Sequence, residues 1–406
     1  MFACRKRNSV CVGMLACVFV PEIFGQLPAV NFEKSVNSRE GADTTNPEAP
    51  AETRAAQNDR KNDRKGELLF APIPISSQAI GTGLAPVAAY VFFPSDTDKV
   101  SQPSILAVAG LYTSTKTYGL GIAGNFNLAE DRYRITFLTG GARARYEFFG
   151  IGNDAGTTGE SLWLNQKGHA VFLQGLRRIG WNTFVGPRFS HRTIKAAHEA
   201  GLSEDLSHDF PQLPAIMDQL NLSLTTAALG FRVERDTRDS MFYPTRGVRM
   251  GARVDFFGPY AGSGFTFQNY VFEINKYLPV REGHVVALRA MGCGVTGERI
   301  PFYELCQFGM MGDLRGYQTG RFRDRAMFAV QGEWRMILPW RLGATAFGGV
   351  GEVAPNGKSF NAEDLLPSGG VGLRFNLSKQ RRINLRLDLA YSRTGGSWSM
   401  GVAEMF

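Results

Sequence analysis

The chain has 406 residues, of which 44% are hydrophobic, 12% aromatic and 20% charged, and its formal net charge is +8. A chain of this length forms two soluble domains or one large barrel, and no apolar run approaches the roughly 20 residues that a membrane-spanning helix needs. The basic residues are spread along the chain instead of forming a patch, which argues against nucleic-acid binding.

The N-terminal region has the composition of an export signal followed by a polar segment. An apolar run from Val10 to Val20 follows three basic residues at positions 5–7, which is the layout of a secretory signal peptide. We predict a signal peptide over residues 1–26, although no clean cleavage motif is present. Residues 27–66 are too polar to bury a core, so we predict a disordered periplasmic lead-in.

From Glu67 onward, apolar and polar residues alternate almost without interruption, so each segment has one apolar and one polar face. The polar faces carry full charges, such as Arg386 and Asp388, and many segments exceed the 5–6 residues of an ordinary soluble strand. Both features favour an apolar face toward lipid and a polar face toward a lumen, over a soluble β-sandwich. We therefore predict an all-β fold over residues 67–406, an antiparallel transmembrane barrel of about sixteen strands in a bacterial outer membrane. The predicted strands are 67–76, 81–94, 102–115, 117–129, 131–148, 160–179, 181–196, 219–235, 245–258, 265–280, 283–298, 325–340, 342–354, 369–379, 382–394 and 397–406.

The fifth predicted strand changes its pattern in the middle. Its apolar residues lie on one face before Gly140 and on the other face after Gly141. A β-bulge adds one residue to a strand and so exchanges its faces. We therefore predict a bulge at this pair of glycines.

The longest loop in the second half of the barrel, 300–324, contains Leu314, Arg315, Gly316 and Tyr317. An arginine stays charged when buried, and its planar fork suits carboxylates. The glycine permits a tight turn or a close approach, and the tyrosine offers a ring to pack and a hydroxyl to satisfy. The alternative is an ordinary surface turn with an exposed arginine.

Three patterns in order resemble the bacterial surface antigen family of outer-membrane barrels, which includes the barrel-assembly insertase and the two-partner secretion transporters. Residues 314–317 match the (V/I/L)-R-G-(F/Y) tetrapeptide of the sixth extracellular loop in that family. The other two patterns are a D-x-R-D…P-x-x-G turn and a terminal aromatic residue that acts as an assembly signal. The resemblance covers about residues 66–406. The residues that match the second and third patterns are Asp236, Arg238, Asp239, Pro244, Gly247 and Phe406.

The resemblance implies that the loop folds back into the lumen and that its arginine pairs with a carboxylate of strand 12. Glu333, on the inward face of that strand, is the candidate partner. The family usually offers a further Asp in an F-x-D-x-G pattern on strand 13. Here the pattern reads Phe347, Gly349 and Gly351, with glycine in place of the acid. Glu352 is nearby but takes the opposite face on strict alternation, so the second carboxylate is in doubt.

Two cysteines follow the predicted signal peptide, Cys293 on the inward face of strand 11 and Cys306 in the loop. In an oxidising periplasm, a disulfide between them would tether the loop to the strand. Two free buried thiols are the alternative, because sequence does not supply the required Cα separation of about 4.4–6.8 Å.

No catalytic, cofactor or metal site is predicted, so we do not expect an enzyme. The five histidines show no H-x-x-H or H-E-x-x-H spacing, and no G-x-S-x-G sequence occurs. The glycine cluster 369–372 opens a strand, so it is not a phosphate-binding loop before a helix.

Two functional hypotheses remain. Insertases and transporters of the family carry periplasmic POTRA domains, and the segment before residue 67 is too short for one, so the resemblance implies a member without them. Such a barrel would assist insertion or translocation of polypeptides or lipids through a first-to-last strand seam, which Pro72 and Pro74 weaken. Its expected partners are outer-membrane lipid, the barrel-assembly machinery during biogenesis and a polypeptide client. The alternative is a structural barrel or narrow pore without a client, which would prefer anions if an open path is lined by Arg249, Arg253, Arg289 and Arg386.

Overall fold

The computed structural model describes residues 66–77, 79–95, 97–98, 100–198, 214–240, 242–309, 313–378 and 382–406. The predicted signal peptide and all but the last residue of the predicted lead-in lie outside the described residues. Within the described ranges, sixteen strands form one closed antiparallel barrel, which confirms the predicted fold. The strands are β1 Glu67–Ser77, β2 Gly81–Phe92, β3 Ser104–Thr113, β4 Tyr118–Leu128, β5 Tyr133–Phe148, β6 Leu162–Gly180, β7 Thr183–His198, β8 Ser223–Asp236, β9 Gly247–Phe257, β10 Phe267–Arg281, β11 His284–Gly297, β12 Ala326–Ile337, β13 Leu342–Ala354, β14 Leu366–Ser378, β15 Ile383–Ser392 and β16 Gly395–Val402.

In the described residues, the helices are short segments between strands. Over the described ranges, no helix is long and apolar enough to cross a membrane. The eighth strand begins at Ser223, later than the predicted 219, because a helical turn precedes it. The short helices are α1 Asn153–Thr158, α2 Pro214–Met217, and the 3-10 segments Pro259–Ala261, Phe302–Glu304 and Ala362–Asp364.

The two ends of the barrel differ in the length of their connections. Tight turns such as 129–132 and 181–182 lie at one end, and the long connections 199–222 and 298–325 lie at the other. Bacterial outer-membrane barrels have short periplasmic turns and long extracellular loops, which gives the orientation. Trp181 and Trp340 are almost fully exposed in turns of the periplasmic end, where interfacial aromatic residues are expected.

The outer surface is apolar and the lumen is polar, as β12 illustrates. Val330 and Trp334 are about half exposed on its outer face. Gln331, Glu333 and Arg335 alternate with them and are buried in the lumen. This is the reverse of a soluble sandwich, in which the apolar face would be the buried one.

The prediction of a bulge at Gly140 and Gly141 is wrong. Both ladders of β5 pass through these residues without a register shift. Odd-numbered residues face outward along the whole strand, from the exposed Ile135 to the exposed Arg143. The outward residues change from apolar to charged because this long strand continues beyond the lipid, where its outer face meets water.

The last strand also ends earlier than predicted, at Val402 and not at residue 406. Ala403 adopts a left-handed conformation with φ 69°, and its amide donates a hydrogen bond of 2.7 Å to the carbonyl oxygen of Asn384. The chain then turns into the lumen, where Glu404 accepts a hydrogen bond of 2.8 Å from Arg374. Beyond Val402, the chain thus forms the ion pair between Glu404 and Arg374 instead of continuing the β15–β16 ladder.

The seam between the first and last strands has the sparsest pairing. β1 pairs with β2 along its full length, Glu67–Ser77. Across the described residues, its ladder with β16 consists of the single pair Ser76 and Met400. Within the described residues, most backbone groups along this edge therefore lack the partners that a continuous ladder provides.

Candidate functional site

The long loop between β11 and β12 folds into the lumen and contacts several walls. Its residues Cys306–Gln307 and Arg323–Asp324 pair as a short antiparallel ribbon. Glu304 forms an ion pair of 3.2 Å with Arg192 of β7. At the other side, the carbonyl oxygen of Arg323 accepts a hydrogen bond of 2.8 Å from Gly152, next to α1. The loop is therefore held at both ends of its crossing.

Arg315 lies at the centre of the site and is buried. Its Nη1 atom is 2.5 Å from Oε2 of Glu333 and 3.4 Å from Oδ2 of Asp388. Its Cζ atom lies 3.6 Å from the centroid of the Phe347 ring, a cation–π distance. The backbone amide donates to the side-chain oxygen of Gln331 at 3.1 Å. The structure thus places this arginine inside the lumen and brings it to Glu333, instead of exposing it on a surface turn.

Gly316 and Tyr317 fasten the loop to the wall next to the arginine. Gly316 has φ 103°, which other residues rarely adopt, and its carbonyl oxygen accepts a hydrogen bond of 2.9 Å from Ser392. The Tyr317 hydroxyl donates to the carbonyl oxygen of Pro367 at 2.7 Å. Burial raises the pKa of Tyr317, so the hydroxyl keeps the proton that it donates.

The two glycines of the strand-13 pattern let the loop lie close to β13. A Cβ atom on Gly349 would lie 3.0 Å from the Leu314 side chain and 2.6 Å from the carbonyl oxygen of Val330. A Cβ atom on Gly351 would lie 2.8 Å from the Phe308 ring. A carboxylate at position 349 would therefore occupy space that the loop fills.

The second carboxylate comes from β15 instead, and sequence reasoning did not assign it as a partner. Asp388 bonds Arg374 at 2.6 Å in addition to its contact with Arg315. Its inward position in the alternating pattern of β15 was the available signal. Glu352 accepts a hydrogen bond of 2.9 Å from the amide of Asn361, in the connection after β13.

The ion pairs extend from the loop toward the periplasmic end. Glu333 bonds Arg335 at 2.6 Å through its second oxygen, and Arg374 bridges Asp388 and Glu404. Charges of opposite sign alternate in this set, so Arg315, Arg335 and Arg374 each face at least one carboxylate. Removing one member of such a network leaves a buried charge without compensation. We call this set the lumenal ion network, and its members are Arg315, Glu333, Arg335, Arg374, Asp388 and Glu404.

Arg335 connects this network to the C-terminal residue and to the turn between β8 and β9. Its Nη2 atom donates to the backbone oxygen of Phe406 at 2.7 Å, and its Nη1 atom lies 3.5 Å from the carbonyl oxygen of Pro244. Phe406 is buried in a cluster with Tyr243 and Tyr277. Burial raises the pKa of Tyr243 to about 12. The structure therefore places Phe406 inside the lumen, and its role in assembly stays a prediction.

The D-x-R-D…P-x-x-G residues shape the periplasmic turn that presents Pro244. Asp236 and Arg238 form an ion pair of 2.7 Å. Asp239 accepts a hydrogen bond of 2.9 Å from the amide of Thr245. Gly247 has φ 103°, and a Cβ atom there would lie 2.2 Å from the carbonyl oxygen of Thr237. The motif is thus a self-bonded turn, and it contacts the lumenal ion network through Arg335.

Cys293 and Cys306 are joined by a disulfide, with 5.8 Å between their Cα atoms. Cys293 belongs to β11 and Cys306 to the loop ribbon. The bond ties the first part of the loop to the strand from which it departs.

Of the four arginines considered as the lining of an anion path, three have acidic partners. Arg249 and Arg289 contact Glu273 at 3.7 and 3.6 Å, and Arg253 contacts Asp255 at 2.5 Å. The fourth arginine, Arg386, is buried.

In the described part of the chain, no group of three or more His, Cys, Asp or Glu side chains is arranged to hold a metal ion.

Comparisons with known proteins agree with the barrel. Residues 120–395 match the Omp85 superfamily domain. The chain resembles BamA from Haemophilus ducreyi lacking POTRA domains 1–3, with a TM-score of 0.55, 14% identity, and coverage of 84% of this chain and 70% of that one. It also resembles CdiB from Acinetobacter baumannii (TM-score 0.54, 12% identity) and CdiB from Escherichia coli (0.54, 9%). The resemblance to each CdiB covers 83% of this chain, but 59% of the Acinetobacter and 67% of the Escherichia protein. No curated protein matches the chain significantly in sequence.

Proposed function

Because the chain belongs to the Omp85 superfamily, and is thus an outer-membrane barrel of the insertase and translocase type, we propose that it inserts or translocates polypeptides at the β1–β16 seam. The observation that carries this proposal is that, among the described residues, a single registered pair joins the two strands, Ser76 and Met400. The client is a polypeptide segment in extended conformation.

The chemistry of an unpaired edge supports a strand-like client. A backbone N–H or C=O group without a partner costs several kcal/mol in lipid, so a poorly paired seam favours any strand that can complete it. Addition of a strand to an open edge satisfies these groups, whatever the client's sequence. The seam would therefore bind the extended backbone of the client, and every second side chain of the client would determine the specificity of binding.

The loop and its ion network fit the same activity. The lumen holds a loop that is fixed by a disulfide and by Arg315, and the lumenal Arg249, Arg253 and Arg289 are paired with acids. A filled lumen directs a client toward the seam and the bilayer. Outer-membrane lipid is then the second partner, and the barrel-assembly machinery inserts this chain during its own biogenesis.

Locking the seam tests the proposal. The double variant Ser76→Cys/Met400→Cys places two cysteines at the registered seam pair. The control Phe70→Cys/Ala88→Cys places them at a registered pair between β1 and β2, which does not open. In a strain that depends on this chain, oxidation of the seam variant should deplete outer-membrane proteins and reductant should restore them.

Two results would contradict the proposal. One is a normal envelope composition with the seam fully cross-linked. The other is a steady conductance in planar bilayers that is the same for the cross-linked and uncross-linked protein. The second result would favour a structural barrel or narrow pore without a client.

A further inference from the structure

The outer surface of β5, β6 and β7 carries a row of cations beyond the apolar belt. Arg143 of β5 is paired in register with Lys167 of β6, and Lys167 with Lys195 of β7. All three have odd numbers on strands whose odd-numbered residues face outward. Arg143 and Lys167 are exposed, and Lys195 is partly exposed. We call these three residues the cationic row.

The cationic row is placed at the level of lipid headgroups. Arg143 follows the exposed Tyr133 by ten positions along β5. At about 3.3 Å per residue and a tilt of about 40°, ten residues rise about 25 Å, which is the height of the apolar band of such barrels. The same register row continues through Tyr118 to Tyr112, and both rings are exposed. Tyrosines of this kind mark the membrane interface.

Lys167 lies in register between Arg143 and Lys195, and the three cations have no acidic partner among the described residues. Paired positions on one sheet face place Cβ atoms about 4.5–5.5 Å apart, where like charges are destabilising. Arg143 donates a hydrogen bond of 3.3 Å to the amide oxygen of Asn165. Among the ion pairs between described residues, none includes a member of the cationic row. This contrasts with the lumen, where the arginines of the lumenal ion network all face carboxylates.

We propose that the cationic row binds the phosphate groups of a phosphorylated lipid in the outer leaflet. Its acyl chains would lie on the apolar rows below, where Phe137, Leu173 and Phe189 are paired in register. An anion bridging Arg143, Lys167 and Lys195 removes the repulsion between them and supplies the missing counter-charge. The site lies on the wall remote from the seam and is separate from the lumenal ion network.

Binding to lipid A with two phosphates, in detergent micelles, tests the proposal on the purified full chain. The variant Arg143→Gln/Lys167→Gln/Lys195→Gln should bind on the order of 100-fold more weakly, because each surface cation contributes on the order of 1 kcal/mol to an anionic lipid. The matched control removes three exposed cations at the periplasmic end and should bind as the unmodified chain does. Its substitutions are Arg177→Gln, Arg235→Gln and Arg281→Gln.

A second measurement separates binding from folding. In lipid-free micelles, the cationic-row variant should unfold at the same temperature as the unmodified chain or higher, since repulsion has been removed. Added lipid A should raise the unfolding temperature of the unmodified chain and leave that of the variant unchanged. Lipid A without phosphates should bind neither protein.

The proposal is overturned by equal binding of the cationic-row variant, or by equal binding of the dephosphorylated lipid. It is also overturned if millimolar pyrophosphate displaces the lipid completely, because the site would then select free phosphate. A lower unfolding temperature of the variant without lipid would show that the three side chains support the wall instead.

Discussion

Arg335 of β12 donates a hydrogen bond of 2.7 Å to the backbone oxygen of Phe406, while its Nε atom bonds Glu333 at 2.6 Å. Glu333 is also the carboxylate that meets Arg315 of the loop. Two side chains of one strand, two residues apart, therefore join the lumenal loop to the end of the chain. The lumenal loop, β12 and the C-terminal residue, which are distant in sequence, therefore meet at this strand.

Replacing Arg315 with Ala should lower the free energy of unfolding by about 3–5 kcal/mol, because Glu333 and Asp388 would lose a buried cation that both contact. The measurement is the temperature or urea concentration at which half of the protein shifts from the gel band of the folded barrel to the band of the unfolded chain. Arg281→Ala, at an exposed strand end, is the control and should change stability by less than about 0.5 kcal/mol. Unchanged heat resistance of Arg315→Ala would refute the role of the pair.

Introducing the family's acid at position 349 should destabilise the chain. In Gly349→Asp the new Cβ atom would meet Leu314 and the backbone of Val330, so the loop would have to move away from β13. Overpacking of this kind costs about 1–3 kcal/mol. Gly357→Asp is the control, since nothing lies within 4 Å of a Cβ atom there. Urea unfolding of both variants gives the comparison, and equal midpoints would mean that the loop does not press on β13.

Phe406→Ala should destabilise the folded barrel by about 3 kcal/mol, because the ring packs in the cluster with Tyr243 and Tyr277. Thermal unfolding of protein that has already been assembled and purified measures this effect separately from biogenesis. Tyr260→Ala, which removes an exposed aromatic ring, is the control. If assembled Phe406→Ala unfolds like the unmodified chain and only its yield falls, the ring acts in assembly and not in the lumen.

Loss of the Cys293–Cys306 bond should loosen the loop without opening the barrel. Mass mapping of a non-reduced digest should find the two cysteine peptides linked. Closing a loop of this size contributes about 3 kcal/mol in the chain-entropy view. Reductant, or Cys306→Ser, should therefore speed protease cleavage within residues 298–325. Reductant should have no further effect on Cys306→Ser, and any additional effect would point to another cause.

The period-two pattern predicted the barrel well because the bilayer imposes it on every strand. Glu333 and Arg335 alternate with Val330 and Trp334 so regularly that facing could be assigned residue by residue. The same pattern misled at Gly140, where the solvent outside the strand changes from lipid to water. The local sequence shows the alternation of apolar and polar residues, but it does not show at which residue of a strand the outer face passes from lipid to water.

The partners across the lumen were harder to predict, since they depend on three-dimensional closure. Asp388 lies 73 positions from Arg315, and nothing in its own strand distinguishes it from other inward charges. The inward turn at Ala403 was missed for a similar reason, because Arg374, which attracts Glu404, lies two strands away. Motif resemblance supplied Glu333, but the substitution of Gly349 hid the second acid.

The position of Asp388 has a mechanical consequence. The acid lies on β15, which is hydrogen-bonded along its length to β16, and β16 borders the seam. A force that displaces β16 is transmitted through one ladder to Asp388, and from there to Arg315. If β16 moves away from β1 at the seam, the ladder to β15 carries the displacement to Asp388 and disturbs its contact with Arg315.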